Sequence, residues 1–442
     1  MNGNASTGRV RWTILSMLFI VTVINYAVRS ALSLAAPALS HDLGVDKFQL
    51  GLIFSAFGWS YVMAQLPGGW LLDRFGAVRV YLFAIITWSL LTAAHGAAVW
   101  MSGSAAVTTL FVLRFLVGIA EAPSFPANAR IVAQWFPARE RGTASAIFNA
   151  AQYFATVAFA PVMGWIVFRF GWQWGFVFMG VVGLVAAAFW ARLVHDPRRH
   201  PKVGVAELAM IASGGGLVEL PTQKDGDTTG ETRRKLGVLL TTPTLWGLYL
   251  GQFFITTLTY FFITWFPVYL VEERGLSIVK AGFFATVPAI CGFVGGVCGG
   301  VMSDYLLRRG ASLTVARKVP VVGGMLLALA ILGCNYTESN LAILAFMSIA
   351  FFGKGVGALG WAVLADVAPR DSTGLSGGIF NMFGNVATIL TPIVIGYILL
   401  VTHSFDLVLV LVAGAALAAA FCFVVLVGKV ERVGDRAEVS RP

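Results

Sequence analysis

Residues 407–428 read LVLVLVAGAALAAAFCFVVLVG, a run without a single charged side chain. Wound as a helix at 1.5 Å per residue, such a run is about 30 Å long, the thickness of a bilayer's hydrocarbon core. Working back toward the N terminus, runs of similar length recur between short polar segments. Their centres lie near 12–36, 48–72, 78–99, 106–130, 143–168, 173–194, 243–270, 278–302, 318–335, 341–365, 374–400 and 405–428. Hydrophobic residues make up 58% of the 442-residue chain, charged residues 12%, and the mean hydropathy is +0.80. Lipid solvates that much apolar surface, whereas a soluble domain has nowhere to hide it. Inside a bilayer the backbone must bond to itself, so the expectation is an all-α integral membrane protein of twelve transmembrane helices.

The longest polar stretch, His195 to Lys235, holds Pro197, Pro201, Pro221 and the Gly214-Gly215-Gly216 run. It divides the spans six and six: a bundle at 1–194, a linker at 195–240, and a second bundle with its tail at 241–442. The amphipathic turn Val205–Ile211 is expected to lie on the membrane surface. With an even number of spans both termini share a side. That side collects 23 Lys and Arg residues, against four opposite (Lys47, Arg169, Arg274 and Lys280), so both termini and the linker are expected in the cytoplasm. The net charge of +10 and pI near 9.7 follow from this bias, and no nucleic acid is implied.

Cys291, Cys298, Cys334 and Cys422 all fall within apolar spans, which argues against a disulfide framework. The five histidines show no metal-ligand spacing, so no metal or cofactor is expected. The first apolar run is too long for a signal-peptide core and is expected to be retained. An internal repeat stands out. Gly69-Trp70-Leu71-Leu72-Asp73-Arg74 closes the second span, and Gly300-Val301-Met302-Ser303-Asp304 closes the eighth. The glycine allows close packing and the charges can bond to neighbouring helix ends, which makes Asp73, Arg74 and Asp304 candidate gating residues.

Twelve spans in two sixes, a long central loop and this repeated motif resemble the major facilitator superfamily. Narrower motifs resemble its anion:cation symporter family, and within it the bacterial D-glucarate/D-galactarate transporters. They are Asn25-Tyr26-Ala27-Val28-Arg29, Pro67-Gly68-Gly69-Trp70, Arg114 with Glu121 to Asn128, Phe352-Gly353-Lys354-Gly355 to Trp361, and Asn381 to Asn385. The resemblance runs from about Arg11 to Gly428. It implies two six-helix bundles around a central site, and proton-coupled uptake of sugar acids across the bacterial inner membrane. One departure matters. The bacterial members usually carry aspartate before the span-one arginine, where this chain has Val28. That aspartate is one of two protonatable groups of the family, so an altered proton coupling is implied. Related eukaryotic organic-anion transporters also commonly lack a charge there.

Charges inside spans are costly, by several kcal/mol or so when unpaired, and are the first candidates for function. Arg29 stays protonated and its planar fork suits carboxylates; it reads as an anion-binding residue, or else as the structural partner of an acid on another helix. Glu121 is the one obvious embedded carboxylate of the amino-terminal half, seven residues from Arg114 on one helix face. It reads as the proton-coupling group, with Arg114 beside it, or as a permanently ionised partner of Arg114 or Arg130. Pro123 and Pro126 are expected to break that helix. In the other half Lys354 lies between two glycines, with Trp361 two turns on along the same face. A hexarate carries a carboxylate at each end, so Arg29 and Lys354 could neutralise both; the competing reading is a lysine that snorkels or pairs structurally. Tyr26, Asn25, Tyr61, Gln152, Tyr260, Asn381 and Asn385 are candidates to bond substrate hydroxyls, or to bond between helices.

These readings converge on a transporter rather than an enzyme, since no nucleophile–base pair or metal cluster is legible. The expected partners are a sugar-acid anion, protons and the bilayer, with one copy of the chain sufficing. Rival readings are a hexuronate or hexonate symporter, an uncoupled facilitator suggested by Val28, and a membrane sensor that binds without transporting.

Overall fold

The computed structural model describes residues 9–137, 140–218, 229–369 and 373–433, and every regular element among them is helical. The amino-terminal helices are α1 (Val10–Leu43), α2 (Lys47–Phe75), α3 (Ala77–Ala94), α4 (Gly103–Glu121), α5 (Ser124–Trp135), α6 (Arg141–Phe170) and α7 (Trp172–Leu193). Two short helices follow, α8 (Val205–Ser213) and α9 (Thr229–Thr241). Then come α10 (Pro243–Tyr260), α11 (Phe266–Glu272), α12 (Ile278–Arg308), α13 (Leu313–Ala328), α14 (Asn340–Val356), α15 (Gly360–Val367), α16 (Thr373–Thr402) and α17 (Asp406–Phe421). Among the described residues, eleven helical segments are individually long and apolar enough to cross a bilayer. The 29-residue α2, diluted by Ser55, Ser60, Gln65 and four glycines, is the other long helix, which makes twelve. Exposed Phe83, Phe168, Val301 and Tyr397 lie on surface that only lipid solvates well.

The chain forms two compact units. One comprises Met1–Val45 and Trp59–Asp225, the other Asp46–Gly58 and Gly226–Pro442. In the first, α1 packs along α6 and α7 and is buried over most of its length, while α3 packs on α7. Three of the buried indoles there are satisfied: Trp172 donates to Asp42 at 3.0 Å, Trp190 to the Val78 carbonyl at 3.1 Å, and Trp135 to the His195 carbonyl at 3.1 Å. This is what burial of an N–H requires.

In the second unit α14 is clasped between α12 and α13 by glycines. A Cβ on Gly295 or Gly299 would collide with the Phe352 or Val356 carbonyl, and one on Gly353 with the Gly324 carbonyl. The start of α2 belongs to this unit. Gly51 faces the Pro392 carbonyl of α16 so closely that a Cβ would lie 2.6 Å from it, and Lys47 pairs with Glu272.

The segment expected to be an amphipathic turn, Val205–Ile211, forms the start of α8 and is tied to the amino-terminal unit through one acid. In α8 Val205 is exposed, whereas Glu207 is fully buried against the amino-terminal unit. Its carboxylate accepts from the Arg11 amide at 3.1 Å and the Val10 amide at 3.3 Å, and Arg11 Nη1 lies 3.5 Å away. An acid at the positive N-terminal end of α1, plus a guanidinium, ties α8 to the first helix. Just beyond, the Leu217 amide bonds the Ala133 carbonyl at 2.9 Å.

Candidate functional site

The fourth span breaks where its prolines fall. α4 ends at Glu121 and α5 begins at Ser124, with Ala122 and Pro123 between them. Pro123 has no N–H, so the Ile119 carbonyl loses its usual donor. Pro126 does not break the chain; it sits in the first turn of α5, where a missing N–H costs nothing.

Beside this break lies the pair that organises the amino-terminal unit. Arg29 Nε of α1 donates to Glu121 Oε2 at 3.0 Å, with Arg29 6% exposed and Glu121 fully buried. The Arg29 guanidinium also lies 4.9 Å from the Tyr26 ring centroid and 5.1 Å from that of Tyr61. Two aromatic faces and a carboxylate therefore fix its orientation. Arg114 does not mirror Arg29. It donates to the carbonyls of Arg29 at 3.1 Å and Val28 at 3.5 Å, gripping the α1 backbone where Arg29 projects. Its charge still acts on Glu121, and Asn25 lies against the same carboxylate. Val28 is buried. Helical spacing relates Arg114 to Glu121 but says nothing about α1 against α4, so the sequence allowed Arg29 an acid partner on another helix without naming Glu121. Their meeting is a property of tertiary register.

In the second unit Lys354 is 4% exposed, with Nζ 5.3 Å from the Phe351 ring centroid. The glycines on either side let the backbone touch α12 and α13, so Lys354 sits on a helix with little freedom to shift. α14 stops at Val356 and α15 starts at Gly360. Lys354 and Trp361 therefore do not share a continuous helix face; Trp361 is exposed and packs edge-on against Phe380 at 4.9 Å. The charge-bearing fourth and tenth spans are thus both discontinuous just after their buried charge, a pattern typical of ion and substrate sites in transporters.

Tyr260 closes α10 directly before a π-helical turn, Phe261–Trp265. Asn385 donates to the Asn381 carbonyl at 2.9 Å, and Thr388 to the Asn385 carbonyl at 2.7 Å. Gln152 is half-buried on α6. Sequence reasoning passed over Gln252, which bonds Thr256 at 3.3 Å and fills the space left by Gly360 and Gly384. The signal was present as a polar stripe, Gln252, Thr256 and Tyr260, at intervals of one turn. Also passed over were the buried Thr22, Tyr81 and Asn128 of the first unit.

Of the candidate gating residues, Arg74 stacks on Trp70 at 5.2 Å and Phe75 at 5.6 Å, and Asp304 is exposed. The Asp73 side chain lies outside those described. In that part of the second unit Arg317 bonds Asp366 at 2.7 Å and Ser303 at 3.0 Å, joining the ends of α12, α13 and α15.

Comparison with known proteins places this arrangement. The family model described as Major Facilitator Superfamily matches residues 18–316. The chain is 54% identical over 433 residues to the probable galactarate/D-glucarate transporter GudP of Bacillus subtilis (strain 168), covering 98% of this chain and 95% of that protein. It is 53% identical over 429 residues to the protein of the same name from Escherichia coli (strain K12), covering 96% and 94%. Among solved structures, a D-xylose-proton symporter aligns at a TM-score of 0.71 with 15% identity over 95% of this chain and 98% of that one, a likeness of fold. With twelve long helices, a family match over more than half its length and relatives above one-half identity, the chain belongs to the Major Facilitator Superfamily, a family of multi-pass membrane transporters.

Proposed function

We propose that this chain imports hexarates, D-galactarate and D-glucarate, by proton symport across the bacterial inner membrane through alternating access. The names of its relatives support the substrate class. The observation that carries the coupling is the buried Arg29–Glu121 pair at 3.0 Å. While Glu121 is ionised it occupies the guanidinium that a substrate carboxylate needs. A proton on Glu121 removes that competitor, so anion and proton bind together, and each raises the affinity for the other by the same factor. Arg114 holds the α1 backbone that presents Arg29. A hexarate has a second carboxylate, and Lys354 is the buried cation of the other unit suited to it. Tyr26 and Tyr61 orient Arg29, while Gln152, Tyr260, Trp361, Asn381 and Asn385 are assigned to the sugar hydroxyls. Val28 leaves Glu121 as the proton carrier, so coupling runs through one carboxyl here. The Lys and Arg bias puts both termini in the cytoplasm.

Uptake of labelled galactarate into proteoliposomes tests this. The parent should accumulate substrate under an inward proton gradient. Glu121→Gln, a permanent mimic of the protonated acid, should equilibrate and exchange substrate without accumulating it. Gradient-driven accumulation by Glu121→Gln would refute the assignment.

A further inference from the structure

Seven residues along α1 from Arg29 lies Thr22, and seven residues beyond Glu121 lies Asn128. Asn128 Nδ2 donates to Thr22 Oγ1 at 3.0 Å. The two contacts, Arg29–Glu121 and Thr22–Asn128, are thus rungs of one antiparallel ladder about 10 Å apart along the helices. Ala122 and Pro123 keep helical dihedrals through the break, so Ser124 and Asn128 continue the face that Glu121 begins. Asn25 and Ser124 fall between the rungs. Every one of these polar residues except Arg29 is at most 1% exposed. On α3, which packs on α5, Tyr81 is fully buried and its hydroxyl completes no hydrogen bond among the described residues.

The middle of the ladder holds polar atoms that complete no hydrogen bond among the described residues: both amide atoms of Asn25, Ser124 Oγ, Glu121 Oε1 and Asn128 Oδ1. Interior polar atoms need partners, and here donors and acceptors fall on facing stretches of α1 and the α4–α5 segment. Water is the partner that fits such a polar site. Glu121 is divided by this arrangement. Oε2 faces Arg29, and Oε1 is the oxygen Arg29 leaves.

We propose that the ladder Asn25, Ser124, Thr22, Asn128 and Tyr81 is the route by which the proton reaches and leaves Glu121, on the opposite oxygen from the one the anion displaces. Asn25 and Asn128 hold water. The hydroxyls of Ser124, Thr22 and Tyr81 each accept one proton while giving up another, so none changes charge. On unloading, the Glu121 O–H bond breaks, its proton passes to the held water, and the carboxylate left behind takes back Arg29. Asn25, placed against Glu121 and buried, serves the proton rather than a sugar hydroxyl. This inference rests on the proton-symport reading above.

The test uses the full chain in proteoliposomes with a trapped pH dye, with Ser124→Ala, Thr22→Val and Tyr81→Phe as near-isosteric variants. Two rates are read: proton entry driven by added galactarate, and counterflow of labelled galactarate at equal pH on both sides. In counterflow Glu121 stays protonated throughout, so the route is not used. The variants should slow proton entry and net uptake about tenfold or more while exchanging at the parent's rate. Variants that keep parental proton entry, or that lose counterflow in the same proportion, overturn the ladder's role and make it ordinary helix packing. A parent that transports galactarate with no proton entry instead overturns the symport reading itself, before any variant is compared.

Discussion

Arg29 and Glu121 meet at 3.0 Å from two helices whose sequence separation is 92 residues, and both are almost entirely withdrawn from solvent. A buried ion pair of this kind is weak evidence for stability, because desolvating two charges offsets much of their attraction. Breaking it from one side is another matter, since the remaining charge has no water to return to.

Arg29→Ala should therefore destabilise the protein by about 3–5 kcal/mol, and adding Glu121→Gln should recover part of that loss. Thermal unfolding of single and double variants in detergent measures it. Equal melting temperatures for Arg29→Ala and the double variant would show that the pair's charge is not what matters.

Lys354→Gln should weaken hexarate binding roughly tenfold, about 1.4 kcal/mol, while leaving a monocarboxylate hexonate unaffected. Competition of the two acids against labelled galactarate gives the comparison. An equal loss for both would assign Lys354 to packing.

Gly355→Ala should destabilise the second unit by about 1–3 kcal/mol, because the added methyl overlaps the Gly292 carbonyl on α12. Gly300→Ala on the same interface helix meets nothing within 4 Å and should be tolerated. Unfolding temperatures of the two, measured side by side, check the contrast.

His200, outside the membrane, packs edge-on against Trp135 at 5.4 Å and His195 at 5.5 Å. Burial pushes its imidazole below the usual histidine range. Because the folded value is the lower one, the unfolded chain takes up the proton first as pH falls through about 6.5. Stability should be indifferent to His200 above that pH and decline below it. His200→Gln should flatten the decline in an unfolding series from pH 7.5 to about 5.

The spans could be read from hydropathy, because lipid imposes one requirement on every helix alike. Glu121, Arg29 and Lys354 could be found because a charge in an apolar run is conspicuous. What escaped was relational. The Arg29–Glu121 contact depends on the register of α1 against α4, and the interruption after Val356 lies in a run whose hydropathy does not mark it. Asn128, Thr22, Tyr81 and Gln252 escaped because neutral polar residues are common in membrane helices. Burial alone distinguishes them. The docking of α8 was missed because Glu207 looks like a surface acid until the N-terminal end of α1 is placed beside it.

The grip of Arg114 on the Val28 and Arg29 carbonyls has an electrostatic consequence of its own. Two guanidiniums and one carboxylate, Arg29, Arg114 and Glu121, sum to +1 in this buried corner, and to +2 once Glu121 takes a proton. These three groups thus leave a net positive sum in a medium of low dielectric, and a carboxylate set beside Arg29 lowers it by one. An aspartate at position 28 would have cancelled the resting excess in advance. With valine there, the excess of these three groups stands, and on the proposed reading the anion supplies the counter-charge.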